Sequence, residues 1–179
     1  MLSGPAWLAL EGKDIAAVRP FYESMLGLPV TEADSDASAL AFGAGGTDVV
    51  LREPGPVPRG GLHVHFAFSI PPASYDSWWD HLADGRSLEE HHFGDVTSLY
   101  CYDPEGNCVE LGQDDAVAGA TDGATPPGVG GPIAGVFEVV LEVEDLYRAE
   151  HFYRTLGFEV VDRGDERARV RMSIGDLDL

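Results

Sequence analysis

Positive charge is scarce in this chain: only 11 of its 179 residues are Lys or Arg, Lys13 is the one lysine, and 31 acidic residues leave a formal charge of −20. Such a surface repels phosphate backbones and anionic headgroups, which excludes nucleic acid and membrane as partners and reads as salt-adapted, of the halophilic kind. Long apolar runs are missing too. No stretch approaches the ~20 apolar residues that cross a bilayer, and neither terminus has the layout of a signal peptide, so a cytoplasmic protein is expected. Cysteine is limited to Cys101 and Cys108, too few for a disulfide framework. A hairpin centred on Asp103 to Asn107 puts Cys101 opposite residue 109 and turns the two thiols to different faces, so both are expected reduced. Phosphate-loop and nucleophile-elbow signatures are absent, and Gly43-Ala44-Gly45-Gly46, lacking a Lys and a strand-to-helix context, is a hairpin turn.

What is present is an internal repeat. Leu8-Ala9-Leu10-Glu11-Gly12-Lys13-Asp14-Ile15, then Phe21-Tyr22 and Leu26-Gly27, recurs as Val139-Val140-Leu141-Glu142-Val143-Glu144-Asp145-Leu146, then Phe152-Tyr153 and Leu156-Gly157. A fainter copy lies between, with His65-Phe66-Ala67-Phe68 in the place of Trp7-Leu8-Ala9-Leu10. Each copy opens on an alternating strand, enters a helix of apolar period, and closes on short strands separated by turn-formers, which makes a βαβββ unit. In the first copy Ile15, Val18, Tyr22 and Met25 form the buried stripe. The helix of the second is expected over Ser74 to Ala83, and its closing strands near Ser87 to Phe93, Thr97 to Tyr102 and Asn107 to Leu111. Units 6–54 and 60–113 are expected to pair within residues 1–113. Residues 114–135, rich in Ala, Gly, Thr and Pro, read as a flexible linker, and 136–179 as a partial third unit. Either the chain is cut short before a fourth, or the orphan unit packs on another chain, as in a homodimer.

The chemistry is expected on two strands. Alternation places Leu62, Val64, Phe66, Phe68 and Ile70 on one face, with His63, His65, Ala67 and Ser69 on the other. In Asn107 to Leu111, Val109 and Leu111 share a face and Glu110 points the opposite way. If the strands are neighbours, His65 and Glu110 meet on a non-core surface, as a metal site requires. Tyr100 and Tyr102 alternate with Leu99 and Cys101, so both phenols should share the Glu110 face. One of His91 and His92 could also face it, and His92 is taken as a cleft residue.

The βαβββ repeat, the His-x-x-Phe strand, the Phe-Tyr helix followed by Leu-Gly, and the closing Asp103-Pro104-Glu105-Gly106-Asn107-Cys108-Val109-Glu110-Leu111 hairpin resemble the vicinal oxygen chelate superfamily. That family includes glyoxalases, extradiol dioxygenases, epimerases, and fosfomycin and bleomycin resistance proteins. The resemblance implies an α+β fold: paired βαβββ modules forming a curved mixed sheet around a cleft, with helices outside. It implies a divalent metal ion (Fe, Mn, Zn, Ni or Co) held by His65 and Glu110. At the matching positions the first unit has Trp7 and Val50, which cannot ligate and would instead line the substrate cleft, and the third unit has Glu138. A third ligand could come from His63 or from His91-His92, and two histidines with one glutamate would make a facial triad. The function so implied is a metal-dependent lyase or extradiol-type dioxygenase acting on a small oxygen-chelating substrate, with Tyr100, Tyr102 or His63 orienting substrate or moving protons. The alternative is a metal-free protein that sequesters a small molecule, as bleomycin resistance proteins do.

Overall fold

A computed structural model describes residues 4–34, 38–56, 64–122, 125–164 and 168–179. The first unit contributes β1 (Trp7–Glu11), α1 (Ile15–Pro20), β2 (Val30–Ala33), β3 (Ala39–Ala44) and β4 (Thr47–Arg52). Asp14 caps α1 by accepting from the Ala17 N–H at 3.0 Å, which satisfies one of the free donors of the first turn. At Pro20 the helix widens into a π-helical turn over Phe21–Met25. The second unit runs β5 (His65–Ile70), α2 (Tyr75–Ala83), β6 (Glu89–Phe93), β7 (Val96–Tyr102) and β8 (Cys108–Gln113). The third runs β9 (Gly135–Val140), α3 (Leu146–Thr155), β10 (Glu159–Arg163), β11 (Val170–Ile174) and β12 (Leu177–Asp178). The expected α+β class is what is observed: twelve strands in two mixed sheets, with three α-helices, among the described residues.

The units do not pair as the sequence suggested. The first keeps its own four-stranded sheet, ordered β1-β4-β3-β2, while the second and third merge into one eight-stranded sheet, β10-β11-β12-β9-β5-β8-β7-β6. The junction is the antiparallel pair of opening strands β5 and β9. First and second units meet instead through a shared core, in which Val18, Tyr22, Phe42 and Val49 join Phe66, Phe68, Trp78 and Leu111. Of these, Val18, Tyr22, Phe66, Phe68 and Leu111 come from the core faces read from alternation and helical period. α3 has no buried residue, and Phe152, the counterpart of the buried Phe21, is 55% exposed.

The stretch 114–135, expected to be a flexible linker, is packed along most of its described length. Asp114 N donates to Ile70 O at 3.0 Å and Ala134 N to Ser69 O at 2.9 Å, so both its ends are tied to the end of β5. Between them Ile133 is buried, Trp78 Nε1 donates to Gly131 O at 3.1 Å, and Gly130 N donates to Ser77 Oγ at 2.8 Å. Gly45, at φ 60° in the β3–β4 turn, lies so close that a Cβ there would overlap the Ala134 carbonyl. Of the strap's described glycines, Gly130 and Gly131 lie close to Ser74, Ser77 and Pro71, whereas a Cβ at Gly119, Gly128 or Gly135 would meet nothing within 4 Å, so the small-residue composition did not distinguish a tethered strap from a loose one.

Candidate metal centre

Register builds the site. Ala67 of β5 pairs with Glu110 of β8 on one side and Glu138 of β9 on the other. With strands about 4.8 Å apart, the two carboxylates rise on either side of a single methyl and can lean together above it. His65, two residues earlier on the same face, completes the group: His65, Glu110 and Glu138 offer ligand atoms that all lie within 4.8 Å of one another. His65 Nε2 and Glu110 Oε2 are 2.9 Å apart.

The two carboxylates are tuned in opposite directions. Burial pushes the Glu110 carboxyl up, but hydrogen bonds from His65, Ser98 and Tyr100 outweigh it and hold the group below the ordinary range. Glu138 is raised, first by burial and then by the Glu110 charge, against the opposing pull of Arg171 and His65. Arg171 Nη2 donates to Glu138 Oε2 at 3.0 Å and also meets Asp178 Oδ2 at 2.8 Å. Two carboxylates with one imidazole at this spacing suit a divalent cation, since donors about 2.1 Å from an ion sit roughly 3 Å from one another. Holding one would require the His65–Glu110 hydrogen bond to open and Nε2 to present its lone pair. Among the described residues this is the one such group of three.

Tyr100 pairs with Glu110 across β7 and β8, and its hydroxyl is bonded to that carboxylate. Burial, followed by that bond, raises the phenol well above its usual range. Its ring lies between His65, at 5.4 Å, and His91, which meets it edge-on at 4.8 Å. His91, not His92, therefore shares the site face. His92 lies on the other face, exposed, 3.2 Å from Glu90 and 3.1 Å from Thr97 Oγ1. The two-residue Gly94-Asp95 turn decides between them, because it pairs Phe93 with Val96 and so sets the phase of the hairpin. Tyr102 lies further along the Tyr100 face, 48% exposed, beside Cys108. His63 falls outside the described residues.

Glu110 and Glu138 line a cleft of about 990 Å³ to which all three units contribute. From the first unit and the residues just before it, Gly4, Pro5, Ala6, Gly46 and Thr47 reach it. Trp7, 64% exposed, does not, and Val50 borders a separate hollow of about 370 Å³ with Ala39 and Ala41. The expected placing of Trp7 and Val50 opposite His65 therefore does not hold, because that position is taken by β9. The Glu138 counterpart was visible in the repeat, but its convergence with His65 was not. Arg171 and Ser98 carried no signal of their own. Gly112 leaves room for the Phe137 ring, which a Cβ would meet at 2.8 Å.

The family model of the Glyoxalase/Bleomycin resistance protein/Dioxygenase superfamily matches residues 4–111. No curated protein matches the chain. Among solved structures, the chain resembles a lactoylglutathione lyase from Agrobacterium tumefaciens at 24% identity and a TM-score of 0.57, over 65% of this chain and 97% of that one. A glyoxalase/dioxygenase from Nostoc punctiforme aligns at 22% identity and 0.53, over 62% and 90%. A candidate dioxygenase from Bacillus subtilis aligns over 96% of this chain at 18% identity and a TM-score of 0.68, and the chain spans 59% of its length.

Proposed function

Because the chain belongs to the Glyoxalase/Bleomycin resistance protein/Dioxygenase superfamily through residues 4–111, we propose that it is a divalent-metal-dependent enzyme acting on a small oxygen-chelating molecule. The observation that carries the reading is the convergence of His65, Glu110 and Glu138, from two units, at the side of the cleft. These three would hold the ion. When bound, a divalent cation would supply Lewis-acid stabilisation of negative charge developing on substrate oxygens.

The chain's own residues supply the rest. Ser98 and Tyr100 fix the Glu110 carboxylate by hydrogen bonds, so one ligand is oriented before any ion arrives. Tyr100, with its phenol raised, keeps its proton at neutral pH and serves as a hydrogen-bond donor rather than as a base. Arg171 balances Glu138 and sets its direction. Phe137 and Val96 provide an apolar wall that excludes water from one side of the substrate.

One observation favours the metal-free alternative. His65 and Glu110 satisfy each other, and Arg171 satisfies Glu138, so the group is stable as a hydrogen-bonded cluster in a ligand cleft. Metal analysis after dialysis against Mn, Fe, Co, Ni or Zn separates the readings. The enzyme reading expects one ion per chain, with affinity at least about tenfold lower in His65→Ala, Glu110→Gln and Glu138→Gln. A protein that retains no stoichiometric ion overturns the enzyme reading and leaves the metal-free alternative.

A further inference from the structure

We infer that the cleft selects a neutral or cationic ligand and turns away anionic ones. The inference rests on the cleft being the substrate site. The charged residues lining it are Glu110, Glu138, Asp114, Asp176 and Asp178 against the single cation Arg171. That guanidinium already faces two carboxylates through Nη2, Glu138 at 3.0 Å and Asp178 at 2.8 Å, so its charge is offset. An incoming carboxylate or phosphate would find on the lining no cation whose charge is not already offset by neighbouring carboxylates. A divalent ion offsets two of the carboxylates and Arg171 a third, and two remain uncompensated. Charges of one sign in a concave, partly apolar site focus their field on whatever enters. The rest of the lining includes Val96, Val136 and Phe137, which suit an apolar or aromatic body. The ligand class is therefore an uncharged or amine-bearing molecule with an apolar body and adjacent oxygens for the ion.

Three probes with the same pair of vicinal hydroxyls isolate charge: catechol (neutral), dopamine (cationic) and 3,4-dihydroxybenzoate (anionic). Each is titrated under nitrogen into the Co(II)-loaded full chain and followed by the cobalt visible bands. Catechol and dopamine should bind at least about tenfold tighter than 3,4-dihydroxybenzoate at low salt, since like charges set against each other cost this much or more. The gap should shrink in 1 M NaCl and in an Asp114→Asn/Asp176→Asn variant, neither residue being a proposed ligand. If cobalt loads and the benzoate binds as tightly as catechol, or the gap survives in the variant, charge selection falls and the metal reading stands. If cobalt does not load and calorimetry detects no binding of any of the three, both fall.

Discussion

The Tyr22 hydroxyl donates to Asp103 Oδ2 at 2.9 Å, with both groups buried and 81 residues apart in sequence. The same carboxylate accepts from Asn107 Nδ2 at 2.8 Å and from the Glu105 and Asn107 backbone N–H groups. Glu105 in turn accepts from the Lys13 and Asp14 N–H groups. The Asp-Pro-Glu-Gly-Asn hairpin is thus a clamp that fastens the second unit to the helix of the first. Asp103→Ala strips four partners of a buried charge and should lower stability by about 3–5 kcal/mol, whereas Tyr22→Phe, which leaves the other three bonds, should lose about 1–2 kcal/mol. Urea unfolding of the two variants reads the difference.

Ala67 is the methyl between Glu110 and Glu138. Ala67→Val should fill the space above it and weaken metal binding at least tenfold without removing a ligand. Overpacking costs about 1–3 kcal/mol of stability, and Ala67→Gly should retain the ion. Metal content and urea midpoints of the two variants, measured together, check this.

Burial pushes the Cys101 thiol up to about 12. The folded state therefore keeps a proton that the unfolded chain releases, and stability falls as pH rises from the ordinary thiol range toward 12. This one group contributes a slope of up to about 1.4 kcal/mol per pH unit. Cys101→Ala should lose that share of the slope. Urea unfolding between pH 8 and 10 measures it, and native Cys101 should resist iodoacetamide at pH 8.

Gly45 at φ 60° touches Ala134. Gly45→Ala adds both a left-handed strain of about 1–2 kcal/mol and a backbone overlap. A total loss near 3 kcal/mol is expected, together with faster proteolysis in 114–135. Gly46→Ala, where a Cβ meets nothing within 4 Å, is the control.

Much of this was legible because it is local. Alternation fixed the faces of β5, β7 and β8, the repeat set the order of elements, and the Cys101 to Val109 pairing follows from counting out from the hairpin. The His65–Glu110 pair was legible for the same reason: both residues lie in one unit at matching repeat positions. What escaped was which strand edges meet. β1 and β5 carry similar patterns, and nothing in their residues says that β9 joins β5 while β1 keeps only β4 among the described strands. That pairing places Glu138, rather than a further histidine, as the third candidate donor. The phase of His91 and His92 hung on a two-residue turn, a detail finer than a strand boundary read from hydropathy.

The place of β5 has a consequence for the order in which the molecule is made. Its two neighbours are later segments: Glu110 follows Ala67 by 43 residues and Glu138 follows it by 71. Pairings this distant are slow, because loop closure must be met before the contact forms. A nascent chain that has emerged through β8 already holds two of the three proposed ligands beside an open strand edge, and the third arrives only with β9. Ion capture would then mark the last long-range step of folding, so in refolding the cobalt bands should appear after Trp78 has left water.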